Sequence, residues 1–88
     1  MTDETLPLAG RVAIVTGSGR NIGRAIALAF AQAGARLVVN GHRDQAALDA
    51  VVDEIRRGGG EAIACLADVS RDEDIARMVA LARDTYGH

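Results

Sequence analysis

The feature that most constrains this chain is a glycine-rich turn between a short apolar run and a helical pattern. Residues 12–15 read Val-Ala-Ile-Val, the turn 17–23 has glycine at its first, third and last positions, and helical spacing follows. In this setting the backbone N–H groups of a helix N-terminus can bind a pyrophosphate. We expect Gly17 to make the sharp exit from the strand, Gly19 to leave the backbone bare, and Gly23 to let the helix approach closely.

Composition limits what else the chain can be. Its 88 residues are 49% hydrophobic and 25% charged, which is typical of one small globular unit with an aliphatic core. All ten basic residues are scattered arginines and the net charge is −2, so we expect no nucleic-acid partner. No apolar run approaches the roughly 18 residues that span a bilayer, and the acidic N-terminus is unlike a signal peptide. We therefore expect no membrane association and a cytoplasmic location.

Periodicity predicts three strands that alternate with three helices. Residues 1–7 are polar and aperiodic, and are predicted to be a flexible lead-in, whereas residues 8–88 form one unit. The predicted strands cover 12–16, 36–40 and 61–66, and the predicted helices cover 21–33, 45–57 and the region from 71 to about 86. The predicted caps are Gly34 after the first helix, Asp44 before the second, and Ser70 with Glu73 as a capping box before the third.

Each predicted helix has one apolar stripe at three- and four-residue steps, which is expected to face the sheet. These stripes are Ile22, Ala25, Ile26, Ala29, Phe30 and Ala33 in the first helix, Leu48, Val51, Val52 and Ile55 in the second, and Ile75, Met78, Val79 and Ala82 in the third.

This element order predicts an α/β fold. Helices between strands make right-handed crossovers, so we expect a parallel sheet in the order 3-2-1 with helices on both faces. Such a β-α-β-α-β-α unit is half of a doubly wound (Rossmann) sheet. In a complete sheet of that kind the first strand is central, whereas here its outer edge has no predicted partner. We therefore expect the chain to be the N-terminal part of a longer protein.

Two segments carry a family resemblance. Residues 8–23 are similar to the opening strand and the Thr-Gly-x-x-x-Gly-x-Gly loop of the short-chain dehydrogenase/reductase family, although the middle glycine of that loop is Asn21 here. Ala67-Asp68-Val69-Ser70 resembles the family segment in which an aspartate holds the adenine amino group. The resemblance covers residues 8–88 and the N-terminal third or so of a family member.

The resemblance implies hydride transfer between a nicotinamide cofactor and a small-molecule carbonyl or secondary alcohol, and a homo-oligomeric parent protein. It also implies that the acid/base Ser, Tyr and Lys lie beyond residue 88. Tyr86 has no lysine four residues later and the chain contains no lysine at all. We therefore predict no catalytic residue within these 88 residues, and no turnover by the chain alone.

Charge at the end of the second strand predicts the cofactor. A site for NAD needs a carboxylate there for the ribose 2′-OH, but the position is Gly41. His42, Arg43 and the loop residue Arg20 would instead contact a 2′-phosphate, so NADP is predicted over NAD. The predicted cofactor-binding residues are Gly17, Ser18, Gly19, Arg20, Asn21, Ile22, Gly23, His42, Arg43, Asp68 and Val69.

Other interpretations stay open at this point. Arg20 and Arg43 could be solvated surface charges, His42 could stack on adenine or be merely exposed, and Asp68 could be a plain strand-end residue. The whole chain could serve a non-catalytic nucleotide sensor or an NAD-preferring dehydrogenase. The two histidines and single cysteine show no metal-ligand spacing, so no metal is predicted.

Overall fold

The protein alternates strands and helices along its whole described length. A computed structural model describes residues 6–19 and 21–87. The elements are β1 (Val12–Val15), α1 (Asn21–Gln32), β2 (Arg36–Gly41), α2 (Gln45–Arg57), β3 (Glu61–Leu66) and α3 (Asp72–Tyr86). The predicted alternation is confirmed, with β1 one residue shorter and β2 one residue longer than expected. No helix in residues 6–19 and 21–87 is both long and apolar enough to cross a bilayer.

The three strands form one parallel sheet with β2 in the centre. Val12 pairs with Arg36 at the start of the β1–β2 ladder, and Arg36 pairs with Glu61 at the start of the β2–β3 ladder. The predicted order 3-2-1 is therefore confirmed, and all three strands end at the same side of the sheet. β2 is enclosed on both faces, and its central side chains Leu37 and Val38 are fully buried.

Successive residues of β2 point to opposite faces and so define two cores. Leu37 and Val39 pack in a core with residues of α1 and α2, whereas Val38 packs with Met78 and Ala82 of α3. Helices thus cover both faces of the sheet, as predicted. The stripe predicted for α2 is correct, because Leu48, Val51, Val52 and Ile55 are all buried.

The face predicted for α1 is wrong. Ala27 is its fully buried side chain and Leu28 and Ala31 pack beside it, whereas Ile22 is 77% exposed and Phe30 is 38% exposed. The helix is apolar on nearly every side, so three- and four-residue spacing fits more than one face. Of these apolar faces, the one that carries Ala27, Leu28 and Ala31 packs into the core with β2 and α2.

The start of α3 also differs from the prediction. The capping box is wrong, because the N-cap residue is Arg71 and it makes no side-chain cap hydrogen bond. Ser70 instead donates its hydroxyl hydrogen bond to Asp68. The first turn of α3 carries three acidic residues, Asp72, Glu73 and Asp74. Their negative charges interact favourably with the positive end of the helix dipole, which stabilises this helix end without a side-chain cap. Within the predicted stripe Met78 and Ala82 are buried, but Ile75 and Val79 are 39% and 40% exposed.

The other two caps are confirmed. Asp44 is the N-cap of α2, and its carboxylate accepts a hydrogen bond from the backbone N–H of Ala47 at 3.0 Å. Gly34 has a φ of +101° after the last turn of α1, the left-handed conformation in which glycine commonly ends a helix.

Candidate nucleotide-binding site

The candidate site lies where the three parallel strands end. β1 leads into the glycine turn, β2 ends at Gly41 before the connection to α2, and β3 ends just before Ala67 and Asp68. In open α/β sheets this edge is where ligands bind, because the loops after neighbouring strands face one crevice there.

The glycine turn is held by close backbone packing. Gly17 has a φ of +62°, which makes the sharp exit from β1 that was expected of it. A Cβ on Gly23 would lie 2.1 Å from the carbonyl oxygen of Gly17, so only glycine fits there. The first turn of α1 therefore lies directly against the loop.

Asn21 takes the place of the family's middle glycine. Its φ is +55°, in the left-handed region that glycine enters freely. Asparagine is among the few other residues that visit this region routinely, because its short polar side chain can hydrogen-bond locally. The departure from the family pattern therefore keeps the backbone conformation that a glycine would adopt.

Ser18 and Asn40 join the turn to β2, and sequence reasoning missed this contact. The Ser18 hydroxyl donates to the Val15 carbonyl oxygen and accepts from the Asn40 backbone N–H, both at 2.8 Å. The Ser18 backbone N–H donates to the Asn40 carbonyl oxygen, also at 2.8 Å. Both side chains are buried. The Ser18 side chain thus faces the protein interior, and it positions the loop.

Asn40 extends the same connection to β3. Its Nδ2 donates to the carbonyl oxygens of Cys65 at 3.0 Å and of Ala67 at 3.2 Å. The available signal was a lone amide in an otherwise apolar strand, since a buried polar side chain requires hydrogen-bond partners. One asparagine therefore fixes the ends of all three strands relative to one another.

A cavity of about 240 Å³ opens between the glycine turn and the start of α2. It is lined by Gly17, Gly19, Gly41, His42, Arg43, Asp44, Ala47 and Leu48. A Cβ at position 41 would lie 3.2 to 3.4 Å from three carbons of the Leu48 side chain, so a larger residue there would require Leu48 to shift by a few tenths of an ångström. The cavity therefore brings the predicted residues Gly17, Gly19, His42 and Arg43 together.

Asp68 lies at the end of β3 and is fixed by its neighbours. Its Oδ1 accepts from the Ser70 hydroxyl at 2.6 Å and from the Ser70 backbone N–H at 2.9 Å. These two hydrogen bonds hold the pKa of the Asp68 carboxyl below its usual range, and the nearby His42 and Arg71 act in the same direction. The carboxylate is thus kept ionised and ready to accept a further hydrogen bond.

His42 links the ends of β2 and β3. Its Nε2 lies 3.5 Å from Asp68 Oδ2, with 57% of the His42 side chain exposed. One predicted residue thereby contacts another across the crevice. Val69 is 45% exposed beside Asp68 and Ile22 is exposed on the first turn of α1.

One predicted residue cannot be placed at this site, and Tyr86, which the sequence excluded as catalytic, lies away from it. Arg20 lies outside the described residues. Tyr86, at the end of α3, donates its hydroxyl to the Leu37 carbonyl oxygen at 3.0 Å, and burial raises its pKa. Among residues 6–19 and 21–87 no group of three or more His, Cys, Asp or Glu side chains could hold a metal ion.

A larger cavity, of about 490 Å³, lies between β1 and α3. Most of its lining residues are apolar, including Val12, Ile14 and Val79, with Arg11 as the charged residue. It touches neither the glycine turn nor the end of β3. The smaller cavity is the stronger candidate, because polar and charged groups converge there.

Comparison with known proteins decides the family. The sequence model described as short chain dehydrogenase matches residues 11–88, which is most of the chain. The chain belongs to the short-chain dehydrogenase family. Within it, this chain is 43% identical over 82 residues to a tetrahydroxynaphthalene reductase of Pestalotiopsis fici, and covers 30% of that relative. It is equally 43% identical over 81 residues to a versicolorin reductase of Emericella nidulans, and covers 31% of it.

Solved structures of short-chain dehydrogenases share the fold. A hydroxysteroid dehydrogenase from Escherichia coli superimposes with a TM-score of 0.87 at 39% identity, over 97% of this chain and 34% of that one. A metagenomic short-chain oxidoreductase in complex with NADP superimposes with a TM-score of 0.83 at 41% identity, over 92% of this chain and 36% of that one. This short-chain dehydrogenase chain thus spans about a third of the length of the proteins it matches.

Proposed function

We propose that this chain is the cofactor-holding part of an NADP(H)-dependent oxidoreductase. The reaction is hydride transfer between the nicotinamide and a carbonyl or secondary alcohol of a small molecule. Family membership supports the reaction class, and reductases among the relatives support the direction of carbonyl reduction. That the protein forms a homo-oligomer stays a prediction.

The observation that carries the choice of NADP is the cavity after β2. Gly41 stands where an NAD site needs a carboxylate, and Arg43 lines the same cavity from an exposed position. An arginine fork makes charge-assisted hydrogen bonds with a phosphate, each of about 1.5–3 kcal/mol where water is partly excluded. The positive charge of Arg43 therefore attracts a 2′-phosphate. The ribose hydroxyl of NAD, in contrast, lacks the carboxylate that an NAD site has at the position of Gly41.

The pyrophosphate and the adenine of the dinucleotide can also be assigned to positions along the same edge of the sheet. The pyrophosphate would lie on the glycine turn, where Gly17, Gly19 and Gly23 leave the backbone accessible and the N-terminus of α1 favours an anion. Asn21 and Ile22, exposed at the start of α1, border that position, whereas Ser18 cannot make the contact predicted for it, because it is fully buried with its hydroxyl turned inward. The adenine would lie beside Asp68 and Val69, and the ionised Asp68 carboxylate would accept a hydrogen bond from its amino group.

Acid/base chemistry requires residues from elsewhere. The family pattern uses a Tyr with a Lys four residues later, and these 88 residues contain no lysine. We therefore propose that these residues bind the cofactor and do not by themselves turn over a substrate.

Binding of the two cofactors to arginine variants tests the proposal. In the full chain, Arg43→Ala should raise the Kd for NADPH about tenfold, because it removes a cation beside the proposed position of the 2′-phosphate; the sequence predicts the same direction for Arg20→Ala. The Kd for NADH should barely change, since NADH lacks that phosphate. Titration of cofactor fluorescence gives both constants.

Arg57→Ala is the matched control. Arg57 lies at the far end of α2 in an exposed ion pair with Asp53, so its loss changes the net charge equally without touching the cavity. A similar rise in the Kd for NADPH and NADH in Arg43→Ala would contradict the proposed NADP preference.

A further inference from the structure

The peptide unit that precedes Asp68 is held from both sides by side chains of other elements. Its carbonyl oxygen, that of Ala67, accepts from Asn40 Nδ2 at 3.2 Å, and its N–H group, that of Asp68, donates to Asp74 Oδ2 at 2.8 Å. In a trans peptide these two groups point to opposite sides within one plane. β2 and α3 therefore fix this plane between them, and the plane sets the direction in which the Asp68 side chain leaves the backbone.

Asp74 reaches this peptide because of its place in α3. It is the third residue of the helix, and helical side chains tilt toward the N-terminus, so a short side chain in the first turn points back at the end of β3. Asp74 is half-buried, whereas Asp72 and Glu73 beside it are exposed. Of the three acidic residues in this turn, it is thus Asp74 that bonds to the backbone of Asp68.

We propose that Asp74 is a positioning residue for adenine recognition, which through the Asp68 N–H keeps the Asp68 carboxylate aimed at the exocyclic amino group of the base. This inference rests on the proposed function, because it takes Asp68 as the acceptor of that amino group. Ser70 holds the Asp68 side chain by its Oδ1, whereas Asp74 holds the backbone from which that side chain extends. Loss of Asp74 therefore changes the direction of the carboxylate and leaves its hydrogen bonds with Ser70 in place.

The test compares two nucleotides that differ in the group facing Asp68. The probes are 5′-AMP and 5′-IMP, in which a carbonyl oxygen replaces the amino group, titrated calorimetrically into the full chain. The wild-type chain should bind 5′-AMP about tenfold more tightly, because a carboxylate accepts from the amino group but faces another acceptor in 5′-IMP. Asp74→Ala should reduce this preference to about threefold or less. A merely structural role of Asp74 would raise both Kd values equally and leave their ratio unchanged.

Two further variants separate the hydrogen bond from the charge. Asp74→Asn loses the charge but keeps an oxygen that can accept from the Asp68 N–H, so it should retain the wild-type preference for 5′-AMP. Asp72→Ala removes the same charge from the same helix end at an exposed position, and it should also retain the preference. Alanine is a strong helix former, so both alanine variants should keep α3 intact.

The outcomes separate this inference from the proposed function. If the wild-type chain prefers 5′-AMP but Asp74→Ala keeps that preference, or Asp72→Ala or Asp74→Asn loses it equally, the role of Asp74 is overturned and the proposed function stands. If the wild-type chain binds 5′-AMP no better than 5′-IMP, the assignment of the adenine to Asp68 is itself contradicted, and the inference with it.

Discussion

Single residues in the glycine turn act through their backbones. Gly17 and Asn21 both have positive φ values, and Gly23 lies against the carbonyl of Gly17. The sequence predicted the tight exit at Gly17 and the close approach at Gly23, because only glycine permits them. It could not predict how Ser18 and Asn40 bond, because partners 22 residues apart in sequence meet only once β1 and β2 are paired.

Replacing Gly23 with alanine should be strongly destabilising. The added Cβ would overlap the Gly17 carbonyl oxygen at 2.1 Å, and backbone cannot move aside as a flexible side chain can. We expect Gly23→Ala to lower the free energy of unfolding by about 2–3 kcal/mol or more, measured by urea denaturation. The variant should also lose cofactor affinity, because the turn must open.

Gly58→Ala is the matched control for this prediction. A Cβ on Gly58 would make only ordinary contact, 3.5 Å from the Ile55 carbonyl oxygen, and its φ of −83° suits any residue. Its unfolding free energy should change by less than about 1 kcal/mol. Equal effects of the two substitutions would contradict the packing account of Gly23.

At the scale of elements, tertiary packing determines which face of a helix is buried where the spacing of apolar residues fits more than one face. The stripe of α2 is unambiguous because polar and charged residues occupy its other faces. α1 offers apolar residues all around, so its spacing could not identify the buried face. The capping box at Ser70 failed because the helix begins one residue later, with Arg71 as its N-cap, and the Ser70 hydroxyl is turned toward the carboxylate of Asp68 two residues away. Local competition of this kind between short polar side chains is invisible to a four-residue motif.

The connection between β3 and α3 contains Asp68, and the lowered pKa of its carboxyl can be tested by replacing Ser70. Ser70→Ala removes the side-chain hydrogen bond that most lowers the pKa of Asp68, so that pKa should rise toward its ordinary value. Carboxyl carbon chemical shifts, followed by NMR as a function of pH, measure it directly. Ser70→Thr retains a hydroxyl and should keep the low pKa. An unchanged Asp68 titration in Ser70→Ala would contradict this account.

The lowered pKa of Asp68 also predicts how the stability of the fold depends on pH. A carboxyl whose pKa is lower in the folded state contributes stability above its unfolded pKa. That contribution is lost as the pH falls through the folded pKa. The wild-type protein should therefore lose stability more steeply than Ser70→Ala in this acidic range.

At the scale of the whole molecule, sequence order determined the topology. Three alternating strand and helix pairs, joined by right-handed crossovers, allow few arrangements, and the predicted order 3-2-1 is the observed one. Because parallel strands end on the same side, the glycine turn, Gly41 and Asp68 all lie at one edge of the sheet although they are far apart in sequence. What the order of elements could not supply was which side chains line the cavity. Asp44 joins Arg43 there only because α2 begins at the cavity wall.

The central claim is that the cavity after β2 holds the 2′-phosphate of NADP, and a crystal structure of the full chain with NADP tests it most directly. We predict the 2′-phosphate within hydrogen-bond distance of the Arg43 guanidinium, the pyrophosphate on the turn 17–23, and the adenine amino group on Asp68. A nucleotide bound elsewhere, or one whose 2′-phosphate points away from Arg43 into solvent, would contradict the account.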